Sequence, residues 1–337
     1  MMAKTTPSVS LFIPTFNQAA FLPTALESAL NQTGGLIKEI IVCDDASTDE
    51  TQGILQDYRR NRGVIVIRNE SNQGISANAS RGLRACTGEL VIRLDSDDIL
   101  DPNYTETLST VFLEHPKIAI AHCAVQEIDQ QGAPLRIRRL ARKRGFQDSN
   151  EALREARRGY KVTANICMFR KQALEESGYY REGMNFAEDW DLWVRMADAG
   201  WGNYYNPSVL ASYRVWTDDK GFRASRKLSE LSGIRTVFAT ALEPAYAKRG
   251  WSTTGLRNAR VGFACNHARS LKGLAPTCPE RIALEQSLEE LGGGWRFTLR
   301  KHWLNSPFHR ISSPINHLVT KAKHFLKSAL YSTRSSG

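Results

Sequence analysis

Leu90-Val91-Ile92-Arg93-Leu94-Asp95-Ser96-Asp97-Asp98 is the stretch on which the fold turns. Its apolar, β-branched beginning reads as a buried strand, and the strand closes in spaced carboxylates. Open α/β sheets take their ligands at the carboxyl edge of the strands. Hard oxygen ligands delivered there suit Mg²⁺ or Mn²⁺ and the phosphates those ions hold. The competing role is an acidic turn that only caps the next helix. Asp101-Pro102 already offers a cap and a first-turn proline for a helix over 103–114, which leaves the earlier aspartates for chemistry.

Outward from this stretch, strands alternate with helices. Segments 9–13, 39–43, 64–68, 90–94 and 118–124 are short, apolar and β-branched, as buried strands are. Helical spacing fills 21–32, 49–60, 75–86 and 103–114, and Ser47-Thr48-Asp49-Glu50 has capping-box spacing before the second of these. Such alternation predicts a mostly parallel sheet covered on both faces. Asp129-Gln130-Gln131-Gly132 reads as a hairpin turn, the pattern is mixed to about Val215, and helical signals dominate beyond. The expected division is therefore 1–217 and 218–337.

The turns after the early strands line the expected crevice. The first, Pro14-Thr15-Phe16-Asn17, contains no glycine, which excludes the G-x-G-x-x-G turn of a dinucleotide-binding fold. Phe16 can stack on a base or pack in the core, and Asn17 can hold the turn by bonding its own backbone. In the second, Asp44-Asp45-Ala46-Ser47, an acceptor-only carboxylate suits the imide N–H of uracil. The third runs from Asn69 through Gly74 to Asn78, with Gly74 or an N-cap at Ser76 opening the helix. Farther on, Glu188-Asp189-Trp190 begins a helix whose Trp190, Trp193 and Ala197 share one face and read as core. A carboxylate at that helix start is either a macrodipole partner or a general base.

Composition narrows the class. At 337 residues the chain is long enough for a large core and an appended lobe. Six cysteines without a C-x-x-C pair, four of them in or beside apolar segments, read as buried thiols in a reducing compartment. With no apolar run of spanning length and no signal-peptide core at the start, the expected location is cytoplasmic, with a peripheral position on the inner face of the membrane as its extension. The net charge of +10 is uneven: residues 251–337 carry thirteen Lys or Arg against four Glu. That excess suggests an anionic surface as partner. Residues 314–331 combine an apolar helical stripe with Lys321, Lys323 and Lys327, as a helix lying in a bilayer interface or docking on the main domain would. A second basic run, from Arg136 to Arg144, reads as a mobile loop or a solvated face.

Five motifs now stand in order: Val9 to Asn17, Asp44 to Ser47, Asn72 to Gly82, Leu94 to Asp98 and Glu188 to Trp190. Together they resemble the family 2 glycosyltransferases over about residues 8–215. Asn165 to Arg170 and Ser177 to Tyr180 are similar to that family's acceptor-side strand and helix. The resemblance implies a GT-A fold, a Rossmann-like mixed α/β sheet flanked by helices, here with a helical C-terminal extension. It implies an inverting transferase of the hexosyltransferase type, moving sugar from a nucleotide-sugar donor, a UDP-sugar on the strength of Asp45, to a hydroxyl of a glycan or lipid-linked acceptor in cell-surface polysaccharide synthesis. No nucleic acid is expected as partner.

Carried over by position, Pro14 and Phe16 line the nucleotide and Asp45 reads the base. Asp95 lies near the ribose, Asp97 takes the Mn²⁺ or Mg²⁺ ion with Asp95 as its companion, and Asp98 supports the loop. Ser96, Asn78 and Arg93 join the nucleotide-binding set. Asp189 is the base and Glu188 its neighbour. One departure stands out. Many relatives place a histidine after a Tyr-Arg pair downstream, and Tyr213-Arg214-Val215-Trp216 has tryptophan there. Asp218 or Asp219 could substitute, or Asp97 and water could hold the ion alone, with Arg214 free to meet the diphosphate or pair with an acid. Two further readings remain: a non-catalytic nucleotide- or glycan-binding relative, and a polyanion-binding protein acting through the basic tail.

Overall fold

The computed structural model describes residues 7–305 apart from 161, 163–164, 217–221, 273 and 276. Its strands are β1 (Val9–Thr15), β2 (Ile37–Asp44), β3 (Ile65–Arg68), β4 (Leu90–Arg93), β5 (Ile99–Leu100), β6 (Ile118–Ile128), β7 (Pro134–Arg138), β8 (Gly145–Gln147), β9 (Cys167–Arg170) and β10 (Gly202–Arg214). Between and after them come α1 (Leu22–Leu30), α2 (Thr51–Arg62), α3 (Ile75–Ala85), α4 (Tyr104–Glu114), α5 (Ser149–Ala156), α6 (Lys171–Ser177), α7 (Glu188–Asp198), α8 (Phe222–Val237), α9 (Glu243–Lys248), α10 (Thr254–His267), α11 (Pro279–Gly292) and α12 (Trp295–Asn305).

All ten strands form one mixed sheet in the order β3-β2-β1-β4-β9-β6-β10-β5, with β7 beside β6 and β8 beside β10. Strands β1 to β4 are parallel, β9 runs antiparallel between β4 and β6, and β6 is parallel to β10. From β1 the chain builds outward to β2 and β3, then returns to the other side of β1 as β4. The direction of winding reverses between β1 and β4, and a ligand crevice opens at the carboxyl ends of such a pair.

Side-chain alternation divides the sheet into two layers. Leu90, Ile92 and Leu94 enter a core with Val9, Leu11, Ile13, Leu26, Leu55, Tyr104 and Leu108, so α1, α2 and α4 cover that face. Phe12 and Arg93 turn to the opposite face. There Gly82 of α3 lies so close that an added Cβ would stand 2.0 Å from the Phe12 ring. The alternation that buries Leu94 therefore sends Arg93 toward the layer that holds α7.

Several local expectations are corrected. The capping box before α2 does not form: the N-cap is Glu50, with no side-chain cap bond. Ser47 Oγ instead accepts from the Asn17 amide, and the Ser47 amide donates to Asp44 Oδ1. Asn17 bonds the neighbouring turn rather than its own backbone, its Oδ1 accepting from the Thr48 amide at 2.8 Å. Gly74, not Ser76, is the N-cap of α3, and Ser76 Oγ donates to the Met184 carbonyl. The N-cap of α4 is Asn103, while Asp101 Oδ1 accepts from the Asn103 amide in the turn before it. Of the two readings of the basic run, the mobile loop is replaced by strand β7 with an anchored continuation, while the solvated face agrees with β7, whose residues are all exposed. Arg136 and Arg138 of β7 pair with Glu127, Arg142 donates to Asn203 and Arg144 to Asn206.

The hairpin at Asp129 joins β6 to β7, with the Asp129 carboxylate accepting from the Gln131 and Ala133 amides. Cys43, Cys86, Cys123 and Cys167 are buried thiols. Burial pushes the first three up to about 12.

Strand structure gives way to helix between Arg214 and Phe222, whereas the chain divides into compact units at Leu256 and Arg257. In the second unit Leu284, Leu288, Leu291 and Phe297 are buried and Arg260 Nε donates to the Leu291 carbonyl. Among the described residues no helix is long and apolar enough to cross a membrane. The candidate interfacial helix 314–331, with Asp218 and Asp219, lies outside the described residues.

Candidate active site

A cleft of about 350 Å³ opens where the β1–β4 reversal predicts. It is lined by Pro14, Thr15, Phe16, Gln18, Asp45, Asn72, Gly74, Ile75, Asn78, Asp95, Ser96 and Asp97. Seven of the residues read as nucleotide or metal ligands thus share one cavity: Pro14, Phe16, Asp45, Asn78, Asp95, Ser96 and Asp97. Phe16 is 44% exposed, available to a ligand rather than packed in the core. Arg93, Glu188 and Asp189 do not line it.

Of the two aspartates after β2, the first is structural. Asp44 is buried, paired with Arg68 and bonded to the Ser47 amide. Asp45 faces the cleft and organises the opposite wall. Its Oδ1 accepts from Asn69 Nδ2 at 2.7 Å and from the Gln73 amide at 2.8 Å, and its Oδ2 from the Gly74 amide at 2.9 Å. Gly74 has φ +85, a conformation that side chains resist. Two carboxylate oxygens offer about four acceptor positions, so one remains for a ligand. Asn78 is held on both sides, its Oδ1 accepting from Asn69 and its Nδ2 donating to the Cys43 carbonyl, which leaves one N–H and one acceptor position at the cleft. Asn17, Ala46 and Ala187 also have positive φ, each beside a candidate site residue. Non-glycine residues held in that region gather where surrounding structure fixes a site.

The acidic turn is pinned to the end of β10. The Arg214 amide donates to Asp98 Oδ1 at 2.8 Å, and Arg214 Nε donates to the Asp97 carbonyl at 2.9 Å. Arg214 Nη1 reaches the carbonyls of Asp129 and Gln130. Among the described residues its guanidinium hydrogen-bonds backbone carbonyls and forms no ion pair with an acid side chain, and Arg214 is not among the residues lining the cleft. Trp216 Nε1 donates to Asp97 Oδ2 at 2.7 Å. Burial, then Asp95, pushes the Asp97 carboxyl up against the opposing pull of that indole. Asp98, more deeply buried and beside both other aspartates, is held well above the carboxylate range, and its Oδ2 has no hydrogen-bond partner among the described residues.

Behind the cleft, Arg93 joins the acidic turn to α7. Its Nε donates to Asp95 Oδ1 at 2.8 Å, and its Nη1 donates to both Asp189 Oδ1 and the Tyr180 hydroxyl at 2.8 Å. Burial opposes the charge of Arg93, but Asp95, Asp189 and Glu188 hold its pKa well above the ordinary value. Burial raises Asp189 while Arg93 counters it. Glu188, buried beside Asp189, is pushed up to about 7.

Whether these groups fit a divalent ion can be judged from their donors. Three carboxyls crowd one turn: burial first, and the charge of the neighbouring aspartates after it, raise Asp97 and Asp98, and a divalent cation would offset both. Asp97 and Asp95 face the cleft, and Mg²⁺ is commonly held by one or two carboxylates together with substrate phosphates. Among the described residues no cluster of three His, Cys, Asp or Glu is placed to hold an ion. The donor set therefore fits an ion completed by a ligand's phosphates.

A mixed sheet with its crevice at the β1–β4 reversal and an acidic turn there is the frame of a nucleotide-sugar transferase. The chain belongs to glycosyl transferase family 2, whose model matches residues 10–178. It is 29% identical over 200 residues to a chondroitin synthase of Escherichia coli, covering 58% of this chain and 27% of that protein. It is 27% identical over 198 residues to the amylovoran biosynthesis glycosyltransferase AmsE of Erwinia amylovora, covering 58% and 71%. The chain spans only about a quarter or less of the chondroitin and hyaluronan synthases it matches. Among solved structures it is similar to S. aureus TarS, with a TM-score of 0.62 at 18% identity, covering 88% of this chain and 87% of that one. TarS in complex with UDP-GlcNAc matches at a TM-score of 0.56 and 15% identity. At such identity the likeness shows the GT-A fold.

Thr15, Asn72 and Ile75 lie in the turns expected to line the crevice but carried no individual role, and Gln18 was not anticipated because nothing distinguishes it from an ordinary residue after a turn. Sequence reading also missed that Arg93 spans two carboxylates, although an arginine inside an apolar strand is itself a signal that buried acids wait for it.

Proposed function

We propose that the protein is an inverting transferase that moves a sugar from a UDP-sugar to a hydroxyl of a glycan or lipid-linked acceptor in polysaccharide synthesis. The observation that carries this is the single cleft shared by Phe16, Asp45, Asp95 and Asp97, with Asp189 tied to it through Arg93. The names of the chondroitin synthase and amylovoran relatives support the polysaccharide context.

Phe16 offers an exposed ring on which the base stacks, and Asp45 has an acceptor position left for its imide N–H. Asp95 is steadied by Arg93 beside the ribose. Asp97 with Asp95 would hold Mn²⁺ or Mg²⁺, which supplies charge neutralisation for the departing diphosphate. As the acceptor oxygen bonds to the anomeric carbon, the bond from that carbon to the diphosphate breaks, and Asp189 takes the hydroxyl proton. Arg93 orients Asp189 for that role and favours its ionised form against the burial that raises it, and Glu188 lies beside it. A single displacement needs no carboxylate nucleophile, unlike a retaining hydrolase. The basic excess toward the C-terminus supports an anionic membrane surface as the place where a lipid-linked acceptor is met.

Thermal stabilisation by UDP, dTDP and GDP sugars, with and without Mn²⁺, tests the donor, because ligand bound to the native state raises its apparent stability. UDP-sugars are expected to stabilise most. Sugar release is then compared in wild type, Asp97→Ala and Asp189→Ala, with turnover expected only in wild type. Stabilisation by GDP-sugars alone would overturn the base assignment, and wild type that neither binds nor turns over any donor would overturn the function.

A further inference from the structure

We propose that Trp216 is a displaceable competitor for the metal-binding carboxylate of Asp97, making ion uptake depend on the donor's diphosphate; this rests on the nucleotide-sugar reading above. The indole N–H occupies Asp97 Oδ2 at 2.7 Å. Indole nitrogen is a donor only and cannot itself ligate a cation, so a lone pair given to it is withheld from an ion. Asp95, the companion carboxylate, is committed in part to Arg93. An ion arriving alone finds few protein oxygens, and a diphosphate brings the remainder.

The contact is built to open. Trp216 is 48% exposed, so its N–H exchanges the carboxylate for water at little cost. Its ring rests edge-on against Phe21, 5.2 Å between centroids at 85°. The Arg214 guanidinium also lies over the Phe21 ring, 4.6 Å from its centroid. The indole can therefore leave Asp97 while the turn stays anchored by the Arg214 bonds to Asp98 and to the Asp97 carbonyl.

The test is made on the full chain, with Mg²⁺ and UDP in tryptophan fluorescence and with Mn²⁺ in electron paramagnetic resonance titrations. Mg²⁺ with UDP is expected to change the emission of wild type, and this change is expected to vanish in Trp216→Phe. Trp216→Phe keeps the ring but not the donor, and is expected to bind Mn²⁺ without nucleotide about fivefold more tightly, as loss of one competing hydrogen bond predicts. Trp216→His, which replaces a competitor with a ligand, is expected to bind more tightly again. In an Asp97→Asn background, Trp216→Phe should change nothing. Equal or weaker Mn²⁺ binding by Trp216→Phe, or emission that does not respond to loading, overturns the proposal while UDP binding by wild type leaves the donor reading standing. Wild type that binds no UDP at any metal concentration removes both.

Discussion

Arg93 and Asp189, 96 positions apart in sequence, meet in a 2.8 Å ion pair inside the sheet–helix interface. Since Arg93 holds Asp95 at the same distance, one buried guanidinium connects the donor side of the site to the residue proposed as its base. Arg93→Ala leaves those carboxylates buried without a counter-charge, and removal of one partner from such a set costs about 3–5 kcal/mol. Arg93→Lys retains charge but not the planar fork, so it should fold better yet lose about 10²-fold in kcat through misplacement of Asp189. Urea unfolding and steady-state transfer rates decide this. A lysine variant with wild-type kcat would show that the connection is only structural.

Glu188 makes stability pH-dependent. Its folded pKa of about 7 exceeds the ordinary 4.5, so the native state holds the proton more tightly than the unfolded chain. Its contribution is therefore full below about pH 4.5 and is lost as pH rises through 7. The shift corresponds to about 3 kcal/mol at most. Glu188→Gln should flatten the decline in Tm between acid and alkaline buffers. A decline as steep as in wild type would assign it to other groups.

Asp189 and Asp97 should separate kinetically. Asp189→Asn still accepts from Arg93 but takes no proton, so kcat is expected to fall about 10²–10⁴-fold with UDP affinity nearly unchanged. Asp97→Ala should instead abolish the metal-dependent part of UDP binding in calorimetry. If both variants lose nucleotide binding equally, the division of roles is wrong.

Asp45 supports one cleft wall through two backbone amides, of Gln73 and Gly74. An asparagine presents one acceptor end and one donor end, so Asp45→Asn leaves one amide unmet, at a cost of about 1–3 kcal/mol. UDP should then give little thermal stabilisation. Retention of a full UDP response would remove Asp45 from base recognition.

Gly82 lets α3 close on β1. Gly82→Ala places a methyl against the Phe12 ring, and overpacking of this kind costs about 1–3 kcal/mol. Phe12→Leu in the same chain should recover part of the loss in denaturant midpoint. Additive losses in the double variant would contradict the contact.

Much of the frame was legible in consecutive residues. The alternation of β-branched runs with helical spacing set the parallel half of the sheet, and the carboxylates ending the strand at Leu94 marked the edge where its ligands gather. These signals are local: period and propensity act between neighbours along the chain. The capping box at Ser47 and the mobile loop from Arg136 misled because local preference yielded to distant partners. Ser47 turned to Asn17 instead of its own helix, and Glu127 with Asn203 and Asn206 fixed the arginines.

Which charges face each other was settled by packing between distant segments. Nothing in the sequence says that Arg93 bridges Asp95 and Asp189, or that Trp216 reaches Asp97 across 119 positions. The physical reason is that a buried charge or a lone donor specifies only that it needs a partner. Which partner it receives is set by the strand order, which brings β4 beside β9 and the end of β10 over the acidic turn. Local pattern was enough to specify an acidic-edged α/β sheet, and the fold set how its acids are tied, crowded and contested.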